Sequence, residues 1–129
     1  GTMRNKEILK QISILCIDDD EAIRNVMSAT LRRRFGAIYM AQNGKEGLEL
    51  YIKYEPDIVI TDNVMPVMDG VALVSKILEI NKDQPIIMTK SFADDEHSKN
   101  CKVSATIIKP LEIEKLIEAI CCCMGIDGQ

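Results

Sequence analysis

Short apolar runs alternate with amphipathic stretches along the chain, and this alternation restricts the fold more than any other feature. ISILCI (12–17), AIYMA (37–41), DIVIT (57–61), PIIMT (85–89) and ATII (105–108) read as strands. DEAIRNVMSATLRRRF (20–35), NGKEGLELYIKY (43–54), GVALVSKILEI (70–80), ADDEHSKNC (93–101) and EIEKLIEAICCCM (112–124) read as helices. In the first helix Ile23, Val26, Met27, Thr30 and Leu31 recur at helical spacing; in the last, Ile113, Leu116, Ile117, Ile120 and Met124 share a face. Asp19 or Asp20 can cap the first helix, and Arg32–Arg34 suit its negative end as a solvated basic turn. Pro56 stops the second helix, and Pro85 opens the fourth strand. Five β-α units in strict succession predict a parallel sheet with helices on both faces. Strands 1, 3, 4 and 5 are apolar throughout, as a doubly covered sheet requires.

The 129 residues suit one domain, which can bury roughly two-thirds of its unfolded surface without staples. Its core is expected over about 12–124, with Gly1-Thr2-Met3 a cloning remnant before a native start at Met3 and 125–129 a tail or the start of a linker. A net charge of −4 gives no electrostatic case for nucleic-acid binding. No apolar run approaches the length of a membrane span, and no secretory signal precedes the first strand, so a cytoplasmic location is expected. The five cysteines (Cys16, Cys101, Cys121, Cys122, Cys123) are odd in number and lack paired CxxC spacing. They read as reduced thiols, and Cys121–Cys123 point about 100° apart on a helix, which argues against one shared metal or redox site.

In parallel sheets of this kind, chemistry collects at the carboxyl ends of the strands. Strand 1 ends in Asp18-Asp19-Asp20, strand 3 in Asp62, strand 4 in Thr89 followed by Lys90 and Ser91, and strand 5 in Lys109-Pro110. Taken singly, each has an ordinary reading: a helix cap, a turn, a strand threonine. Together they bring several carboxylates, a hydroxyl and a lysine to one edge. Clustered carboxylates resist joint ionisation, and a divalent cation relieves them. Oxygen ligands with few carboxylates suit Mg²⁺. A cation, a lysine and a hydroxyl around one carboxylate is what phosphoryl transfer to that carboxylate needs.

ILCIDDDEAIR, IVITDNVMPVMDG, PIIMT and IIKP, in this order, resemble the receiver domain of two-component response regulators over residues 12–124. The resemblance implies a flavodoxin-like (βα)5 fold: a five-stranded parallel sheet in the order 2-1-3-4-5 flanked by five helices. It implies that Asp62 accepts a phosphoryl group from a histidine kinase or phosphotransfer protein. Asp18 and Asp19 would handle Mg²⁺ with Asp62, Asp19 being the direct ligand, and the main-chain carbonyl of Val64 would be a further ligand. Lys109 would contact the phosphoryl group, and Thr89 would turn toward it in the active state, with Ser91 a second candidate hydroxyl. Pro66 and Gly70 would shape the loop after Asp62. Val64, Lys90 and Ser91 would tune the loss of phosphate. The output would be an attached domain or a partner protein.

Lys90 stands where the family carries a small residue, Lys102-Val103 precede strand 5 where it carries Gly-Ala, and Thr106 replaces its aromatic in mid-strand 5. A weakened signal route through strand 5 is therefore expected. His97, on a polar segment, reads as a surface residue. Two alternatives are a pseudo-receiver that only docks partners, and a phosphatase of the haloacid-dehalogenase type. The latter wants a second aspartate two residues after the nucleophile, where this chain has Val64.

Overall fold

The structure, a computed structural model, describes residues 2–91 and 101–126, with side chains from residue 5 onward. Five strands, β1 (Ile14–Ile17), β2 (Ile38–Ala41), β3 (Ile58–Asp62), β4 (Ile86–Lys90) and β5 (Ala105–Ile108), form one parallel sheet in the order β2-β1-β3-β4-β5. The helices among the described residues are α1 (Thr2–Leu9), α2 (Glu21–Leu31), α3 (Gly44–Tyr54), α4 (Gly70–Ile80) and α5 (Ile113–Cys123). The expected helix at 93–101 lies, apart from Cys101, outside the described residues, as does His97.

Side-chain alternation along the strands sorts the core into two layers. Ile14 and Cys16 of β1, Ile58 and Ile60 of β3 and Ile87 of β4 face one layer, built with Met27 and Leu31 of α2 and Leu116, Ile117 and Ile120 of α5. Leu15, Ile17, Val59, Ile86 and Met88 face the other, built with Tyr51 of α3 and Leu73, Val74 and Ile77 of α4. Three helices begin at side-chain caps: Asp20 accepts from the amides of Ala22 and Ile23, Asn43 from Glu46, and Asp69 from Ala72. Tyr39 of β2 stacks on Tyr54 of α3 with ring centroids 4.2 Å apart, holding that helix to the sheet edge.

Several expectations are corrected. Helix α1 was not read from the sequence. Leu9 packs against the α2/α5 core layer, and the Lys10 ammonium donates to the carbonyls of Arg32 and Arg33 just beyond α2. Helix α2 stops at Leu31, and Val26 is 51% exposed, on the outer side of the helix. Arg32–Arg34 are exposed, as expected for a solvated helix end, and two of them add contacts: Arg32 bonds Ser28 and the Ile38 carbonyl, and Arg34 pairs with Glu114 at 3.8 Å. Strand β5, expected to be covered on both faces, is only partly buried, and Thr106 is exposed. Among the described residues it is an edge strand, paired to β4 alone, and its apolar sequence disguised that position.

Candidate functional site

The register of the sheet brings the strand ends together. Ile17 lies opposite Thr61, so Asp18 and Asp62 emerge beside one another; Asp62 lies opposite Thr89, and Lys90 opposite Ile108, which places Lys109 one residue on. By alternation Asp18, Asp62, Thr89 and Lys109 all project to the α2/α5 face. Lys90, expected beside Thr89 at the site, follows Ile86 and Met88 to the α3/α4 face instead. Ser91 follows β4 and is partly buried.

Asp62 is 7% exposed, Asp18 2% and Thr89 4%, whereas Asp19 is exposed. The Lys109 ammonium lies 3.1 Å from Asp62 Oδ2 and 3.6 Å from Asp18 Oδ2. One carboxylate oxygen from each of Asp18, Asp19 and Asp62 falls within 4.8 Å of the others. Among the described residues, three carboxylates thus face one ammonium. Burial pushes the carboxyl groups of Asp18 and Asp62 up from their ordinary range, and the Lys109 charge only partly offsets this. For Lys109, burial alone would lower the ammonium; Asp62 and Asp18 outweigh it and hold the group above the usual lysine range.

The main chain fixes these groups. Asp18 Oδ1 accepts from the Asp20 amide at 2.9 Å, and Asp62 Oδ1 from the Asn63 amide at 2.9 Å. The Lys109 amide donates to the Lys90 carbonyl at 2.8 Å, tying the end of β5 to β4. Beyond Asp62 the chain turns back on itself: Gly70 N–H donates to the Asn63 carbonyl at 2.7 Å. A Cβ on Gly70 would stand 2.2 Å from the Asp62 carbonyl oxygen, so only glycine lets α4 begin there. Within the loop Val64 is 54% exposed, Pro66 is exposed, and Val67 has φ +69° at the centre of a turn closed by Met68 N–H to the Pro66 carbonyl at 2.8 Å.

Two residues at the site were missed by sequence reasoning. Arg24 Nη1 donates to the Asp18 carbonyl at 2.8 Å, from one turn into α2. Its position six residues after Asp18, near the start of a capped helix, was the available signal. Asn63 is fully buried, and neither its side-chain oxygen nor its nitrogen finds a hydrogen-bond partner among the described residues. Counting in twos from Val59 would have placed it on the apolar α3/α4 side.

Three carboxylates with a strand-end lysine fit a divalent cation bound through oxygen, because a single ammonium leaves the buried acids undercompensated. The family model for the response regulator receiver domain matches residues 14–121. The chain is 36% identical over 110 residues to the chemotaxis protein CheY of Halobacterium salinarum, covering 83% of this chain and 92% of that one. It is 43% identical over 85 residues to a protein-glutamate methylesterase/protein-glutamine glutaminase of Methanosarcina acetivorans, covering 64% of this chain but 24% of that protein. Among solved structures it resembles the CheX–CheY–BeF3–Mg complex of Borrelia burgdorferi, with a TM-score of 0.77 and 26% identity over 88% of this chain and 89% of that one. With a parallel sheet in the order 2-1-3-4-5 and a profile match over nearly its whole core, the chain belongs to the response regulator receiver domain family.

Proposed function

We propose that this domain is a phosphoacceptor: Asp62 takes a phosphoryl group from a phosphohistidine on a histidine kinase or phosphotransfer protein, and the domain changes conformation to signal to an output domain or partner. The carrying observation is Lys109 Nζ 3.1 Å from Asp62 Oδ2, with oxygens of Asp18 and Asp19 clustered on the same face. Asp18, Asp19, Asp62 and the Val64 carbonyl would hold Mg²⁺. The cation would neutralise the negative charge that gathers on the transferring phosphoryl oxygens.

The chain's own residues do the rest. An Asp62 carboxylate oxygen attacks phosphorus, the P–N bond breaks and the imidazole leaves with the bond pair. Lys109 is already aimed at Asp62 and meets the phosphoryl charge without moving far. Thr89 would hydrogen-bond the phosphoryl group once it is attached, a role supported by its register with Asp62 on the same face. Arg24 and the Asp20 amide hold the β1–α2 turn, and so set where Asp19 points. No helix among the described residues is long and apolar enough to cross a membrane.

Labelling with a small phosphodonor and Mg²⁺, read by intact-protein mass, tests this reading. One phosphoryl group per chain is expected, lost on base hydrolysis and absent from Asp62→Asn. An unlabelled wild type would leave a docking module as the better description.

A further inference from the structure

Residue 63 joins three parts of the molecule. Its amide donates both to the Thr89 carbonyl at 3.0 Å and to Asp62 Oδ1 at 2.9 Å, and its carbonyl accepts from Gly70, the first residue of α4. Its side chain is fully enclosed on the face where Val59, Met88, Leu73 and Val74 make apolar core, and its amide group is unpaired among the described residues. Buried amides without partners are rare and costly, because the desolvation is not returned by a bond. The neighbouring polarity is inverted as well: polar Asn63 is inside, and apolar Val64 is outside. Three residues later Val67, a β-branched residue, occupies a left-handed conformation that such residues avoid. Its closing bond, from Met68 N–H to the Pro66 carbonyl, makes the strained form of the three-residue turn.

Unfavourable local choices thus concentrate in the seven residues that join Asp62 to α4, while both ends of that loop are pinned, by Asn63 itself and by the Asp69 cap. We infer that Asn63 is a positioning residue that keeps the β3–α4 loop above its relaxed state in the unmodified protein, so that a charge change at Asp62 releases it. The inference rests on Asp62 being the phosphoacceptor. When the phosphoryl group joins Asp62, Oδ1 gives up carboxylate charge and holds the Asn63 amide less firmly. The peptide can then rotate and the side-chain amide can reach a partner. Energy held in the unmodified state is recovered in the modified one, which favours the modified state by that amount.

Asn63→Leu keeps the branching and heavy-atom count while removing both orphan polar atoms, and Asn63→Met offers a more adaptable apolar chain should leucine not pack. Two readouts separate this role from a merely structural one. In urea, with Mg²⁺ and no phosphoryl mimic, the substituted protein should unfold at a higher midpoint than wild type. In titrations with beryllofluoride and Mg²⁺ it should bind the mimic about tenfold more weakly. A structural residue would move both readouts the same way. A lower urea midpoint for both variants would overturn the inference, as would unchanged or tighter mimic binding by a stabilised variant. If wild type itself bound no mimic, the phosphoacceptor reading would fall first and this inference with it; wild-type binding with unaltered binding by Asn63→Leu would sink the inference alone.

Discussion

Strands β3 and β5 lead to the two residues of the shorter ion pair at the site, Asp62 and Lys109, yet they are built to opposite standards. All five residues of β3 are buried, and it pairs with β1 on one side and β4 on the other. Strand β5 pairs on one side only, has no fully buried residue, and exposes Thr106. The proposed phosphoacceptor therefore stands on a strand that is buried throughout and paired on both sides, and its cationic partner just past an edge strand. A fixed nucleophile makes the approach of a phosphoryl group reproducible. On the proposed function, an edge paired on one side would let the lysine end respond to a phosphoryl group on Asp62, since local stability follows burial and pairing.

The most severe way to break this arrangement is Asp62→Asn. The amide is nearly isosteric and cannot serve as the nucleophile, so phosphorylation should disappear entirely while circular dichroism and the cooperative urea transition persist. Labelling that survives at another residue would show that β3 does not present the acceptor.

Next in size is a paired truncation in the two strands. Ile60 is 1% exposed at the centre of β3, and Ile107 is only partly buried in β5. Ile60→Ala should cost about 3–4 kcal/mol, within the range for buried Ile→Ala changes, and Ile107→Ala about half that or less. Urea unfolding of both variants measures the ratio directly. Equal losses would mean that β5 is as firmly embedded as β3, and the contrast would fail.

The same contrast explains what could be read from the sequence. Strands β1, β3 and β4 were legible because burial on both faces writes a continuous apolar run, and the meeting of Asp18, Asp62 and Lys109 at one edge was legible because the runs of β1, β3 and β5 stop at them. Strand β5 is equally apolar in sequence, so its place at the edge was invisible without the sheet order. Helix α1 carries TMRNKEIL, with no apolar stripe; its end is held by Leu9 and by Lys10 reaching the carbonyls beyond α2, contacts that exist only in three dimensions. Lys90 was assigned to the site by its place next to Thr89, although strand alternation turns adjacent residues to opposite faces. Asn63 went unnoticed for the complementary reason: a polar residue after a strand reads as loop, and nothing in the letters says that the loop folds over it.

A smaller effect sharpens the view of the sheet's centre. Cys16, on β1 beside β3, is wholly buried, and burial pushes its thiol from 9.0 to about 12. A raised folded-state pKa contributes stability that is complete below the unfolded value and lost as pH rises through the folded one, so the window here is pH 9 to 12. Relative to Cys16→Ala, which has no thiol to titrate, wild type should lose about 1.4 kcal/mol of its advantage per pH unit across that window. Below pH 9 the difference should be constant. A gap that stays flat to pH 11 would mean that the interior of β1 admits water. Thiol reagents at neutral pH offer a parallel check: exposed Cys122 should react in the native state and Cys16 should not.

The smallest expected effect lies within β5 itself. Ala105 and Ile107 pack toward the α2/α5 layer, the side that holds Asp62, whereas alternation turns Thr106 to the other face, opposite Met88. A charge change at Asp62 can reach β5 through Lys109, whose amide is tied to the Lys90 carbonyl, but it meets Thr106 only across the sheet. Thr106 is also small and exposed, so it has little packing to exchange when the end of the strand shifts. On adding beryllofluoride and Mg²⁺, methyl resonances of Thr89 should therefore move most, Ile107 less, and Thr106 least. Thr106→Tyr should leave stability within about 0.5 kcal/mol, as exposed substitutions usually do, while giving the position a ring that can register a shift of the strand. If the Thr106 methyl in wild type moves as far as that of Thr89, then β5 responds as one rigid body, and its exposure does not weaken its coupling to β3.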